Sequence, residues 1–452
     1  MSEITKLLNI ISDFSCEIEG DKISFIGILQ KVDNNIVINA RTLPPECQKM
    51  MKHHDLNIYT RIDGCGVTCF NAYIKSASGT CYEGGKYNGY DYTNLIIVPD
   101  QIVVGGCFDA MPQVEKISTV IPELNYFFMY SSSPLKLVND FSKDNPSVLN
   151  FTSLKTIYAE DKYGKVKIWR TFGQKETANE LSFNFVPYVS YEFYQAIKLD
   201  KAIEHIASIR NLFSFFADGY IGLGKISFKI PEGSEEYYVW MNHEESVKPV
   251  QENFCVTFND IENDFQSIWT TWANFYDNTQ SLIDLFYEII CGRSTRVNEL
   301  LNFAQAIEVY SNTHLDSEAR KFAKGHEWGG KSGDSVPLKF IFWNLLKKYN
   351  DIFEINELDI NSIAEALSNN RNYYTHYNSK RLKPSYKEIF AATRVLHYML
   401  LIIIYKSIGI PYSAIGRCKK MRLQFSYFAK DINCLKNFYS NKPNNIQEQH
   451  RC

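Results

Sequence analysis

The sequence predicts an α+β multidomain chain: an antiparallel β-rich N-terminal region, a mixed α/β middle segment and a C-terminal four-helix bundle. Three observations carry this. Apolar side chains alternate with a two-residue period from about residue 15 to 195, as in Ile23, Phe25 and Leu29, in Val166 and Ile168, and most cleanly in Leu181, Phe183 and Phe185 around Ser182 and Asn184. The period becomes helical over residues 200–218, where Ile206, Ile209, Phe213 and Phe216 form one stripe that stops at Gly219. Four further helix-period segments follow beyond residue 293. The expected domains are 1–195, 196–292 and 293–415, with a basic polar tail over 416–452.

Within the first region, Leu95 to Val98 and Ile102 to Val104 read as two buried strands joined by a turn at Pro99 and Asp100, and the whole as an antiparallel sandwich or barrel. In the middle segment Ile226, Phe228 and Ile230 alternate, as do parts of Tyr237 to Met241. From Ile261 to Ile290 the spacing of Trp269, Trp272, Phe275, Leu282 and Phe286 suggests two packed helices. The two tryptophans resemble a base-stacking platform, but aromatics at helical spacing belong to a core.

In the last domain Leu300, Phe303, Ile307 and Tyr310 line the first helix. The second begins after Ser335, with Pro337 in its first turn where a missing N–H costs nothing, and closes on Lys347 and Lys348. The third is placed by Ser362 and Glu365, which have the spacing of a capping box, and by a core stripe of Ile363, Leu367 and Tyr374. The fourth starts near Pro384 and buries Ile389, Leu396, Leu400 and Ile403, an up-and-down bundle with a long first connection.

The chain has 452 residues, 45% of them hydrophobic, enough for two or three domains with substantial cores. Its longest apolar run, Tyr398 to Ile404, is far short of the ~20 residues that cross a bilayer, so no membrane partner is expected. The start of the chain carries no export signal, and a cytoplasmic location is expected. Eleven scattered cysteines then read as reduced thiols. Cys65, Cys69 and Cys81 form a loose group that Cys107 or the pair His53 and His54 would have to complete as a zinc site; without paired C-x-x-C spacing, no metal and no cofactor are expected. A formal charge of −3 excludes a general, strongly basic nucleic-acid surface, so any RNA contact is local. Two basic groups qualify: Lys380, Arg381 and Lys383, and, nearer the tail, Arg417, Lys419, Lys420 and Arg422.

Residues 325–332 match the P-loop pattern G-x-x-x-x-G-K-[ST] through Gly325, Gly330, Lys331 and Ser332. A P-loop needs a buried strand to deliver it and a helix N-terminus facing the phosphates. Here the preceding residues, Asp316 to Lys324, are charged and helix-like, and Pro337 starts the next helix too late, so the stretch reads as a loop.

The third helix ends in Arg371, Asn372, Tyr373, Tyr374, Thr375 and His376. A guanidinium grips phosphate through a bidentate fork, and imidazole gives or takes a proton near neutral pH. At about 100° per residue, Asn372 and His376 lie roughly opposite the core stripe, with Arg371 at its edge. If the helix runs unbroken, Arg371 and His376 are about 140° apart and poorly placed to hold one phosphate alone. A cleft between two copies of the helix removes the difficulty.

Arg371-Asn372-x-x-x-His376, on the third of four helices with a long apolar fourth, resembles the Arg-polar-x-x-x-His signature of the HEPN superfamily (higher eukaryotes and prokaryotes nucleotide-binding). The β-rich region ahead of it resembles the layout of ApeA-type anti-phage HEPN proteins of bacteria. Arg320 and His326 share the looser spacing but lack the polar residue after the Arg, and the family role is not carried to them. The resemblance implies a HEPN-like helical domain over 293–415 and a metal-independent endoribonuclease, with Arg371, Asn372 and His376 catalytic and Glu308 and Tyr310 supporting. It also implies a composite site in a homodimer or higher homo-oligomer, RNA such as tRNA as substrate with Lys380, Arg381 and Lys383 alongside, and an N-terminal sensor triggered by a phage component. The alternative is a HEPN-type bundle that binds nucleotide or RNA, or dimerises, without turnover.

Overall fold

A computed structural model describes residues 3–33, 35–78, 93–128, 135–139, 147–151, 154–177, 180–242, 254–292, 294–315, 317–325, 336–376, 383–421 and 426–438. The chain forms two compact units that interleave in sequence. The first comprises Met1–Pro122, Thr152–Arg210 and Gly222–Lys248, and the second Glu123–Phe151, Asn211–Ile221 and Pro249–Cys452. The interleaving differs from a linear division at residues 195 and 292, and aromatic packing is the reason. Phe127 lies against Phe213, Phe254 and Phe258, with ring centroids 5.0, 5.7 and 6.1 Å away, gathering distant segments into the second unit.

The described strands are β1 (Ile11–Ile18), β2 (Asp21–Val32), β3 (Asn35–Thr42), β4 (Leu56–Ile62), β5 (Cys65–Ser78), β6 (Thr93–Val98), β7 (Gln101–Val104), β8 (Gln113–Val120), β9 (Leu135–Asn139), β10 (Ser147–Phe151), β11 (Ile157–Glu160), β12 (Gly164–Thr177), β13 (Glu180–Lys198), β14 (Ile226–Lys229) and β15 (Tyr237–Met241). In the first unit six of them close into an antiparallel barrel, in the ring order β5-β4-β1-β2-β3-β6 and back to β5. Alternation along each strand sends Phe14, Leu29, Ile38, Ile58, Cys69 and Ile97 inward, where all are buried. Closure depends on β5, which forks. It pairs β7 from Val67 to Phe70 and β6 from Tyr73 to Ser78 along the same edge. The strands expected on either side of Pro99 and Asp100 are therefore both present, but they pair with different stretches of β5 rather than with each other. At the fork the backbones approach so closely that a Cβ on Gly66 would lie 2.7 Å from the carbonyl carbon of Gly106.

From β7 the sheet continues as β15-β14-β8-β13-β12-β11. One face of this extension is apolar: Tyr191 and Phe193 pack on the ring of His205, which comes from the helix that follows β13. Asn242, at the end of β15, is buried and joins three backbone groups. Its Oδ1 accepts from Ile36 N (2.8 Å), and its Nδ2 donates to Ile36 O (2.7 Å) and Pro99 O (2.6 Å). Asn242→Leu leaves these groups buried without partners and is expected to destabilise the first unit by about 2–4 kcal/mol, read as a lower midpoint in chemical unfolding.

The described helices of more than seven residues are α1 (Leu199–Ala217), α2 (Phe265–Ile290), α3 (Arg296–His314), α4 (Ser317–Gly325), α5 (Leu338–Lys348), α6 (Glu357–His376), α7 (Tyr386–Ser407), α8 (Tyr412–Met421) and α9 (Phe428–Lys436). The expected four-helix bundle is α3, α5, α6 and α7, and α2 and α9 extend it. α3 packs on α2 and α7, α7 on α9, and α6 on α3, α5, α7 and α9. α7 begins at a capping box, where Ser385 N donates to Glu388 Oε2 (2.6 Å) and Glu388 N to Ser385 Oγ (3.3 Å). By length and composition α7 could cross a membrane, but 83% of its most apolar window is buried within the fold.

Three expectations are corrected. The two helices read across Ile261 to Ile290 are chiefly one, α2, kinked where Thr279 has φ −136° and its hydroxyl donates to Phe275 O (2.6 Å). Trp269 and Trp272 are buried in it, as core residues. α6 starts at Glu357, not at Ser362. Asn356 Oδ1 accepts from Leu358 N (3.0 Å), while Glu365, the presumed capping partner, pairs with Lys339 of α5 at 2.8 Å. The tail is not only basic and polar: α9 buries Phe428, Ile432 and Leu435, and its Asp431 holds Arg394 of α7 through two hydrogen bonds.

Candidate functional site

α6 runs without a break through the motif. Arg371 is half-buried at its edge and held on two sides. Its Nη2 donates to Glu308 Oε2 of α3 at 3.1 Å, and its Nη1 to Asn372 Oδ1 at 3.2 Å. Asn372 is fixed in turn, with Nδ2 donating to Ser368 Oγ one turn earlier (3.2 Å). The guanidinium is thus oriented by a carboxylate and an amide. Both ion-pair partners keep a share of exposed surface, 22% for Arg371 and 35% for Glu308, so a phosphate could approach the remaining N–H groups.

His376 is the last residue of α6 and is exposed. No hydrogen bond or ion pair among the described residues holds it. Five residues from Arg371 on an unbroken helix, it lies about 140° round and about 7.5 Å along the axis. That separation sets the two side chains on different sides of α6. Lys383 is exposed; Lys380 and Arg381 lie outside the described residues.

Glu308 and Tyr310 sit two residues apart on α3, about 200° round the axis, so they cannot serve one site. Glu308 joins Arg371. Tyr310 goes to the core, where its hydroxyl accepts from Ser407 Oγ (3.2 Å), its ring stacks on His314 at 4.3 Å, and burial, reinforced by Tyr349, pushes its pKa up to about 12. Sequence reasoning missed Ser368, the residue that fixes Asn372. It also missed the neighbouring Asn369 and Asn370, both buried. The available signal was a run of small polar residues inside a helix, where they are poor helix formers.

Of the other motifs, the described residues take structural roles. Arg320 caps the end of α3, donating to Asn312 O (2.6 Å) and Leu315 O (3.2 Å), while His326 lies outside the described residues. The P-loop letters follow the helix α4 and, beyond Gly325, also lie outside the described residues. Cys69 is buried in the barrel and its thiol is pushed up to about 12 by burial, the opposite of what a thiolate ligand needs. Cys107 donates to Thr60 O (3.2 Å), Cys81 is outside the described residues, and no metal-binding cluster of His, Cys, Asp or Glu occurs among the described residues. In the second basic group, Arg417 is paired with Asp260; Arg422 falls outside the described residues.

A β-barrel and sheet in one unit, with a bundle in the other that presents Arg-Asn-x-x-x-His next to an acidic residue of a packed helix, define a HEPN-type protein with a large β-rich region. The chain matches the ApeA N-terminal domain 1 family over residues 9–272 and the Apea-like HEPN family over residues 301–414. It belongs to the ApeA-type HEPN family, which places it among HEPN-type anti-phage proteins. No curated protein and no solved structure matches it.

Proposed function

We propose that the chain is a metal-independent endoribonuclease that acts in the cytoplasm during phage infection, with tRNA among its substrates. The observation that carries the reading is the bracing of Arg371 by Glu308 and Asn372 beside an exposed imidazole on the same helix. RNA contains its own nucleophile, so the protein's task is to orient the 2′-hydroxyl in line with phosphorus and to manage charge and protons. The bond from the 2′-oxygen to phosphorus forms as the bond to the departing 5′-oxygen breaks. One proton leaves the 2′-hydroxyl and one arrives on the 5′-oxygen. The fragments end in a 2′,3′-cyclic phosphate and a 5′-hydroxyl. Arg371 stabilises the phosphate charge, and His376 serves as base or acid. The 140° separation supports a phosphate flanked by groups from two copies, and so a homodimer at least. Lys380, Arg381 and Lys383 follow His376 in sequence and supply local positive charge for the RNA. The β-rich unit is the sensor of a phage component.

A second reading, a bundle that binds RNA or dimerises without turnover, draws on the fact that Arg371 is already engaged by Glu308 within the protomer. Incubating the chain with total tRNA in EDTA separates the two. The expected result is cut RNA bearing cyclic-phosphate ends, with the same sequence as DNA left intact. Intact tRNA in every condition, including extract from infected cells, establishes the binding module.

A further inference from the structure

We propose that the solvent-facing side of the open sheet in the first unit is a platform for single-stranded RNA, a binding activity apart from the chemistry assigned to α6. Register places Tyr158 of β11, Lys167 and Trp169 of β12 and Tyr188 of β13 side by side on this face. Lys167 Nζ lies 5.7 Å from the Tyr158 ring and 5.0 Å from the Trp169 ring, and Trp169 stacks on Tyr188 at 5.4 Å and 16°. Tyr158 is 66% exposed. The next row towards β14 is a line of hydroxyls, Ser190, Ser118 and Ser227, on three successive strands. Lys225 covers Tyr238 at 3.6 Å beyond it.

Rings alternating with ammonium groups suit one ligand chemistry. Each ring offers a face to an unpaired base, and each adjacent ammonium meets the phosphate that follows it. Lysines at 116, 165, 167, 225 and 229 outnumber the glutamates at 160, 192 and 236 on this face, against a chain whose formal charge is −3. The centre of a protein-docking surface would instead be depleted in lysine. A duplex is disfavoured because its bases are already stacked. Ser190 and Ser227 are buried, and Ser118, half-buried between them, offers the partner for a 2′-hydroxyl that favours RNA over DNA.

The test is fluorescence anisotropy with a labelled oligouridine of about 12 nucleotides, using the full chain carrying His376→Ala so that no cleavage complicates the reading. Failure of the nuclease proposal therefore leaves this outcome unaffected. Binding is expected at low salt and to weaken as salt rises. Trp169→Ala is expected to weaken it at least about fivefold, and Trp169→Phe, which keeps a ring, to restore most of it. Lys167→Glu, which reverses the charge between the Tyr158 and Trp169 rings, is expected to weaken it by a similar factor. Absence of binding by the parent chain, binding unchanged in both Trp169→Ala and Lys167→Glu, or equal affinity for the matching DNA overturns the proposal.

Discussion

A His376→Ala chain is expected to lose RNA cleavage by a factor of about a hundred to ten thousand, the usual contribution of a positioned general acid or base. Its unfolding midpoint should stay where it is. Both halves of this expectation come from one placement: the imidazole is exposed at the end of α6 and bonded to nothing among the described residues, so removing it costs chemistry and not packing. The measurement is the initial rate of tRNA cutting in EDTA beside an unfolding curve. Cleavage equal to that of the parent chain removes His376 from the mechanism. A loss of activity that follows a loss of folded protein would show instead that the residue supports the bundle.

Arg371 is held differently. It is braced by two neighbours, and the ion pair with Glu308 is partly exposed, worth at most about 1 kcal/mol to the fold. Such a pair is a weak source of stability and a good source of orientation. The carboxylate sets the direction of the guanidinium while competing with phosphate for its N–H groups. The arrangement suits a residue whose anionic ligand arrives only with substrate.

How far the fold could be read depended on the range over which each signal acts. Alternation at Ile23, Phe25 and Leu29 and the stripe at Ile206, Ile209, Phe213 and Phe216 are local, and both strand and helix formed where they implied. Barrel closure was not legible, because it turns on β5 pairing two partners along one edge, and nothing in Cys65 to Ser78 announces a fork. Ser362 and Glu365 carry the letters of a helix start yet lie inside α6, since Glu365 is drawn to Lys339 of a helix over twenty residues away. The helical register of the motif was legible, and with it the angle between Arg371 and His376. The bracing of Asn372 by Ser368 was not, because the polar run Ser368-Asn369-Asn370 is unusual inside a helix but does not say which of its members meets Asn372.

The largest gain of activity is expected on mixing two dead chains. If each catalytic centre takes Arg371 from one copy and His376 from the other, a dimer of one Arg371→Ala chain with one His376→Ala chain contains one intact centre and one that lacks both groups. Random exchange makes half of the dimers mixed, so an equal mixture is expected to recover about a quarter of the parent activity, whereas each chain alone falls to about a hundredth or less. The angle of about 140° on an unbroken α6 is what leads to this expectation. A centre contained within one protomer would regain nothing on mixing, since neither chain holds a complete set. The readout is tRNA cutting after co-refolding or co-expression, with the mixed species isolated through two different affinity tags. Recovery in the doubly tagged fraction, and its absence when the chains are mixed without exchange, would assign the two groups to opposite subunits. Failure to recover in a dimer shown to contain both chains would place the guanidinium and the imidazole of each centre on one helix, and the phosphate contact would then have to be made by the imidazole alone.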